Sequence, residues 1–530
     1  MKKNIIIRIL LTIVFALLLF YITIPAINLQ SMGFWSYLFM IFVFYQLTTI
    51  IDIKDVILLN KRLNLKGYKS YFVVIAIFIV IMLINVFVSP VMDAKGYSQR
   101  ITIDDSTSFT EDVAEVNFDA LPLLDKSSSQ KLGDRVMGQM PELVSQFYVS
   151  DLYTQINYNN NIVRVTPLEY ASVIKYFTNR DEGVKGYITV DSVTGESSLT
   201  KLDKGMKYVP SGLFNERLER KLRLQYPTEI FDEFNFEIDN EGNPYWIVPT
   251  VSYKGVGVRK EINGVIIFDP ITAESKKYKV EDVPTWVDHV YSADLIIEQV
   301  DHWGLYKNGF FNSIFGQKGV VMTTDGYNYT VMNDDVYLYT GITSVSSDES
   351  NIGFILCNMR TKETNYYAVA GAEEYSAMAS AEGQVQQMNY VASFPLLINL
   401  NERPTYLMSL KDNAGLVKMY AFVDVTDYQK VVVTDSTLGI EQAANNYLNN
   451  FTPEYSGDNI TTKTIKIASI NMALINGNSN YYITDTENQK YKASINIAAN
   501  LLPFIQTGDE IEIGYAKETD VIEIINLDKK

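Results

Sequence analysis

Three long apolar runs, all before residue 93, limit this chain more than any other feature. Ile9–Ile27 and Gly33–Ile51 each hold 19 residues without a charge, and Tyr71–Met92 holds 22. A helix rises about 1.5 Å per residue, so roughly 20 residues cross a hydrocarbon layer about 30 Å thick. The expectation is three transmembrane helices in residues 1–92 and none beyond. A cleaved signal peptide is the alternative for the first run. Its long apolar core, the lack of a nearby small-residue cleavage site and the two runs that follow argue against it. The polar groups in the runs are few: Thr12, Thr23, Gln46, Thr48, Thr49 and Asn85. Proton relays and ion pumps use charged groups in the middle of a span. These runs have none, which favours an anchor.

Basic residues in short loops set orientation. Lys2, Lys3 and Arg8 precede or open the first run, and Asn28–Met32 carries no charge. Lys54, Lys61, Arg62, Lys66 and Lys69 crowd the second link. The N-terminus and that link are therefore expected in the cytoplasm, with everything after Met92 outside. Trp35, Tyr37 and Tyr71 suit interfacial positions. The charge divides at the same place. Residues 1–92 hold 8 basic and 2 acidic residues, a net of +6, and residues 93–530 hold 37 and 60, a net of −23; together these make the −17 of the 530-residue chain. So acidic an outer region speaks against a nucleic-acid partner. One Cys and two His leave no disulfide framework and no Cys/His zinc cluster. A cysteine-poor outer region fits a bacterial envelope protein.

The outer region reads as α+β. Residues 93–126 form an extended lead-in. Ser127–Val149 has helical spacing interrupted at Pro141, and Thr166-Pro167-Leu168-Glu169 has the form of a capped helix start running to about Phe177. Gly212–Leu224 and Ala372–Gln387 are further helix candidates. Short alternating runs elsewhere, up to about residue 435, predict strands.

Within those strands lies a repeat. Gly186 to Glu196, Gly264 to Glu274 and Gly353 to Glu363 each place Asp191, Asp269 or Asn358 at a strand end. Thr194, Thr272 or Thr361 follows three residues on, and Glu196, Glu274 or Glu363 two later. An Asp or Asn side chain accepts bonds from backbone N–H groups just ahead of it and turns the chain. Unrelated hairpins of this kind are the plain alternative. The shared glycine lead-in and register favour related modules. The strand ending in Asp-x-x-Thr, best matched from Pro244-Tyr-Trp246 to Glu274, resembles the closing hairpin of PepSY-type domains. The resemblance implies small α+β modules outside the membrane with a binding or inhibitory role and no catalytic residues.

Leu438–Phe451 is expected to be amphipathic, with Ile440, Ala443, Ala444, Tyr447 and Leu448 on one face. A polar linker, Thr452–Thr462, follows. Five short strands after it, at about 463–475, 479–485, 490–496, 510–516 and 520–526, resemble a small OB-like barrel.

Candidate chemistry is sparse. Ser128-Ser129-Gln130-Lys131 has an S-x-x-K spacing without its companion motifs. Cys357 sits in an apolar strand and reads as core, not as a thiol nucleophile with His289 or His302. Asp288-His289 and Asp301-His302 with Glu298 are the only metal-like groupings, and Asp239–Asn243 is better read as a turn than as a calcium loop. No catalytic, cofactor or metal site is expected. The domains read as an anchor (1–92), a first module (93–230), a strand-rich region (231–435) and a helix with a barrel (436–530). The expected function is that of a membrane-anchored extracytoplasmic binding or scaffold protein of the cell envelope. Its partners would be the lipid bilayer and envelope proteins or cell-wall polymer, and its regulated target an envelope enzyme. Alternatives are an enzyme attacking wall polymer with paired carboxylates and an accessory subunit of a transport or secretion complex.

Overall fold

The computed structural model describes residues 2–50, 68–106, 108–118, 121–332, 334–345, 347–450, 461–475, 478–498, 500–515 and 520–529. Lys54, Lys61, Arg62 and Lys66 of the basic link lie outside the described residues, as does most of the linker before the barrel. The chain forms two compact units, Met1–Glu374 with Asn399–Glu402, and Tyr375–Ile398 with Arg403–Lys530.

The apolar runs form α1 (Lys2–Thr23), α2 (Met32–Ile50) and α3 (Tyr68–Phe87), followed by α4 (Pro90–Ser98). They are not equal. Among the described residues one helix is long and apolar enough by itself to cross a membrane, α1 over Ile5–Thr23. The apolar stretch of α2, Met32–Thr48, is shorter, and α3 reaches the length only together with α4, from which it is bent by 48°. Local chemistry explains both breaks. Ile24 is left-handed (φ 39°) ahead of Pro25, which ends α1 before the expected Ile27. Ser89 is extended ahead of Pro90, the first residue of α4.

One module recurs four times. Its first copy has helix α5 (Lys126–Gly138), then β1 (Phe147–Val149), β2 (Thr154–Tyr158), β3 (Asn161–Tyr170), an inserted helix α6 (Val173–Asn179), β4 (Val184–Asp191) and β5 (Ser197–Met206), in sheet order β1-β3-β4-β5 with β2 also on β3. The second has α7 (Leu218–Gln225), β6 (Ile230–Phe231), β7 (Asn235–Ile238), β8 (Pro244–Lys254), β9 (Arg259–Phe268) and β10 (Ser275–Tyr278), ordered β6-β8-β9-β10 with β7 on β8. The third has α8 (Ala293–Tyr306), β11 (Val321–Thr323), β12 (Asn328–Met332), β13 (Asp335–Ser344), β14 (Ser347–Asn358) and β15 (Thr364–Tyr367), ordered β11-β13-β14-β15 with β12 on β13. The fourth has α9 (Glu374–Gln384), β16 (Val391–Ala392), β17 (Leu396–Leu400), β18 (Arg403–Lys411), β19 (Val417–Asp424) and β20 (Val431–Asp435), ordered β16-β18-β19-β20 with β17 on β18.

The central strands of the second sheet depart from the expected alternation, with Trp246-Ile247-Val248 and Val265-Ile266-Ile267-Phe268 apolar throughout. Side chains of a strand alternate between faces. Trp246, Val248, Ile266 and Phe268 join a core with Val165, Tyr187 and Val190 of the first module. Ile247, Val265 and Ile267, one residue out of phase, join a core with Val336, Leu338 and Ile355 of the third. A sheet covered on both faces needs no polar side.

The expected helix start at Thr166 is instead the middle of β3. Thr166 Oγ1 donates to Ser150 O (2.8 Å), and Ser150 Oγ donates to Glu169 (2.6 Å), so both capping groups are engaged across the sheet. Pro167 falls where the flanking ladder passes from β2 to β1, an interruption that tolerates proline. The helix begins later, with Ser172 as its cap. The lead-in also differs from an extended segment, since α4 occupies its start.

In the second unit, α10 (Ile440–Asn450) buries Ala443, Ala444 and Tyr447. Beyond it lie β21 (Thr461–Ile475), β22 (Asn478–Asp485), β23 (Lys490–Ser494), β24 (Glu510–Tyr515), β25 (Val521–Glu523) and β26 (Asn526–Lys529). Long β21 pairs with β24 through its first half and with β22 through its second. β25 runs parallel to β23 while β26, the next piece of chain, pairs with β24. The sheet order thus returns on itself around Ile465, Ile483, Ile511 and Ile513.

Candidate functional site

The nine repeat residues form three turns with one hydrogen-bond pattern, each on its own sheet. Asp191 Oδ1 accepts from the N–H groups of Val193 (2.8 Å) and Thr194 (2.7 Å). Asp269 Oδ1 accepts from Ile271 (2.7 Å) and Thr272 (3.2 Å), and Asn358 Oδ1 from Arg360 and Thr361 (both 2.9 Å). The threonine hydroxyls then accept from Glu196, Glu274 and Glu363 N–H at 3.2, 3.2 and 3.3 Å. Each turn has a left-handed residue at its fifth position, Gly195 (φ 76°), Ala273 (65°) or Lys362 (64°). The fourth module turns at Asp424, whose Oδ1 accepts from Thr426 and Asp427 N–H, with a longer return to Lys430. In all four turns an Asp or Asn oxygen holds the backbone of its own turn, and the side-chain bonds beside them, such as Asn358 Nδ2 to Asp335 (2.8 Å), are also internal to the module.

The unusual chemistry lies between the first three modules. Glu237 on β7 is fully buried. Its two oxygens accept from Asp288 N–H (2.9 Å) and His289 N–H (3.0 Å). Asp288, 1% exposed, accepts in turn from Asn157 N–H at 2.7 Å. His289 Nε2 lies 2.7 Å from Gln155 O; a carbonyl only accepts, so Nε2 carries the proton. Burial pushes Glu237 up to about 7 against the help of its two N–H donors. Burial, then the neighbouring Glu237 charge, raises Asp288 well above the carboxylate range. Burial pulls His289 down to about 4. The Gln155 amide and Arg164 Nε lie buried nearby without partners among the described residues. Two carboxylates do meet here, but solvent does not reach them.

A second node joins α4 to the modules. Arg100 donates to Glu261 (2.9 Å), Glu298 (2.7 Å) and Lys260 O (2.6 Å), and its Nη1 lies 2.7 Å from His302 Nδ1. Arg259 donates to Asp93 at 2.8 Å, and Tyr97 packs beside both guanidiniums. Desolvation and the Arg100 charge pull His302 down to about 4. The suggested groupings at Asp288-His289 and Asp301-His302 are therefore spent on protein contacts. Among the described residues no three His, Cys, Asp or Glu converge to hold a metal.

The ends of the apolar helices are bonded to the same modules. Arg223 Nε donates to Ile24 O (3.1 Å) and Arg220 Nε to Tyr21 O (3.2 Å), placing cations at the C-terminus of α1 where the helix dipole favours them. Gln30 O accepts from Gly257 N–H (3.0 Å), and Asn85 of α3 both accepts from Val256 N–H (2.8 Å) and donates to Val256 O (3.2 Å). The β8–β9 turn thus sits against the ends of both α2 and α3.

The other singled-out residues are structural. Asp125 caps α5 by accepting from Ser128 N–H (2.9 Å), so the S-x-x-K segment is a helix start. Cys357 is buried beside Thr364, and desolvation pushes its thiol up to about 12. Asp239 accepts from Glu241 and Asn243 N–H and closes a tight turn. Two polar clefts, of about 620 and 780 Å³, open beside α8 and the third turn; no carboxylate lines the first, and Glu281 is the one that lines the second. Sequence reasoning missed Arg100 and Glu237, and noted Asn85 only as a polar group within an apolar run; their partners lie between 51 and 202 residues away.

No family model and no curated protein matches the sequence. Among solved structures, the chain is similar to the Bacillus megaterium YpeB C-terminal domain at 11% identity, covering 45% of this chain and 97% of that one, with a TM-score of 0.10. It is also similar to a mutant of Synechocystis apocarotenoid oxygenase at 8% identity, covering 64% and 60%, with a TM-score of 0.13. Overlaps this slight carry no argument about fold or function.

Proposed function

We propose that this chain is a membrane-anchored extracytoplasmic binding or scaffold protein of a bacterial cell envelope. α1 anchors it, α2 and α3 lie beside α1 in the bilayer, the N-terminus is cytoplasmic and residues 93–530 stand outside. Its repeated α+β modules resemble PepSY-type domains, its last domain is an OB-like barrel, and its partners are envelope proteins or wall polymer, with an envelope enzyme as the regulated target. The observation that carries this reading is the bonding of the α1 C-terminus, the α1–α2 link and the end of α3 to one set of modules through Arg220, Arg223, Gln30 and Asn85. Basic Lys2, Lys3 and Arg8 lie at the opposite end of α1. An accessory-subunit role is the second reading, favoured by an apolar cleft of about 440 Å³ between α2 and α3, lined by Met32, Phe78, Ile81 and Asn85.

Two experiments test it. A membrane-impermeant thiol reagent should label a cysteine added after Lys530 in intact cells; labelling only after lysis rejects the topology. Cross-linking in intact membranes, then purification under denaturing conditions, should recover envelope proteins or glycan joined to the modules. Recovery of the uncross-linked chain alone rejects the scaffold role.

A further inference from the structure

The modules leave apolar side chains uncovered beside the end of α1. Helix α6 buries Tyr176, at 1% exposure, and turns Val173, Ile174 and Phe177 outward at 58, 71 and 51%. Phe214, 54% exposed, stands 6.2 Å from Phe177, ring centre to ring centre. A surface helix of a water-soluble domain presents its polar face outward; α6 does the reverse. Its inward side is fixed by the Tyr176 hydroxyl, which donates to Glu216 at 2.6 Å. Its position relative to α1 is set by one guanidinium. Arg220 Nη1 donates to Phe214 O (2.6 Å), its Nε donates to Tyr21 O (3.2 Å), and it lies 4.2 Å from the centre of the Tyr21 ring. Tyr21 belongs to the last turn of the apolar stretch Ile5–Thr23. Phe214 is therefore one side chain away from the end of the helix that crosses the membrane.

We propose that α6 and Phe214 form an interfacial foot, seated in the headgroup–acyl boundary of the outer leaflet beside α1. The occupant of this apolar face is lipid. Continuity with the spanning helix argues for it, as does the composition of α6, where Lys175 alone interrupts the apolar residues of the first turns. A second exposed apolar cluster lies beside α4, the bent continuation of α3. Phe311, Ile314 and Phe315, exposed by 66, 51 and 81%, follow α8, and Phe310 connects them through Tyr306 to Tyr97 on α4. Such feet hold the first and third modules down on the bilayer and fix their tilt. The inference rests on the reading of α1 as membrane-spanning.

Spin labels on the full-length protein in lipid nanodiscs test it. Ile174→Cys, Phe177→Cys and Phe214→Cys are made in a Cys357→Ala background, with Leu18→Cys on α1 as the reference. Labels at the three foot positions should collide more often with oxygen than with a water-soluble nickel chelate, by a smaller margin than the label at 18. Chelate dominance at the foot with oxygen dominance at 18 overturns the foot and leaves α1 in the membrane. Shielding from both reagents means that protein covers the face, which also overturns it. Chelate dominance at 18 rejects the anchor itself, and the foot with it.

Discussion

Replacing Glu237 with Gln probes the buried node through pH. Folding raises this carboxyl from the usual 4.5 to about 7. A raised acid binds its proton more tightly in the folded than in the unfolded chain. Its contribution to stability is whole below pH 4.5, falls as pH rises toward 7, and is constant above. The shift corresponds to about 3 kcal/mol at 1.36 kcal/mol per unit. Asp288, raised by burial and by the Glu237 charge, acts in the same direction. His289 and His302, lowered to about 4, act oppositely, adding stability as pH rises from 4 to 6.5. The parent profile is therefore flattened, and the difference between parent and variant reports Glu237 together with its charge coupling to Asp288. The amide keeps one acceptor oxygen and turns its NH2 toward the other backbone N–H, a cost that does not vary with pH and so drops out of the pH dependence. The assay is urea denaturation of the full chain in detergent, followed through tryptophan fluorescence, since Trp246 is fully buried. Between pH 4.5 and 7.5 the variant should gain about 3 kcal/mol on the parent. A difference that stays constant with pH would refute the desolvated carboxyl.

Four further outcomes are expected. Ala273→Gly should raise the thermal midpoint, because relief of a left-handed alanine, about 1–2 kcal/mol, exceeds the added chain freedom of glycine, about 0.5–1 kcal/mol; Gly195→Ala should lower it. Arg100→Met should cost about 3 kcal/mol in urea denaturation, since Glu261 loses a buried partner, and hydrogen exchange in α4 should rise. Cys357 should resist maleimide in the folded chain and react at once in denaturant, as mass spectrometry would record; fast reaction in the native state would contradict its burial.

Some of this was readable in the sequence because the signal is local. Hydropathy alone marks α1, and Asp-x-x-Thr or Asn-x-x-Thr marks three turns because the side chains bond only two or three residues ahead. The fourth module escaped notice because its threonine, Thr426, lies two residues after Asp424 instead of three and its turn is longer. Thr166-Pro-Leu-Glu misled because capping groups and cross-sheet hydroxyl partners are the same residue types; Ser150, which decides between them, is far enough away to carry no pattern. The breaks after Thr23 and Phe87 hinge on Pro25 and Pro90 inside or beside apolar runs, where composition hides geometry. Arg100 and Glu237 had no signal at all, since what distinguishes them is desolvation by distant strands.

The second sheet, buried on both faces, has a consequence for how the chain can come apart. If either neighbouring module opened alone, one face of that sheet, including Trp246 and Phe268 or Ile247 and Val265, would stand in water. Burying such side chains is worth about 1.5–3 kcal/mol each, so a partly opened state is disfavoured by several of them at once. The first three modules should melt in a single cooperative step, unlike an ordinary row of repeats that can fray from its ends. During synthesis one face of the second sheet stays uncovered until Ile355 and its neighbours are made.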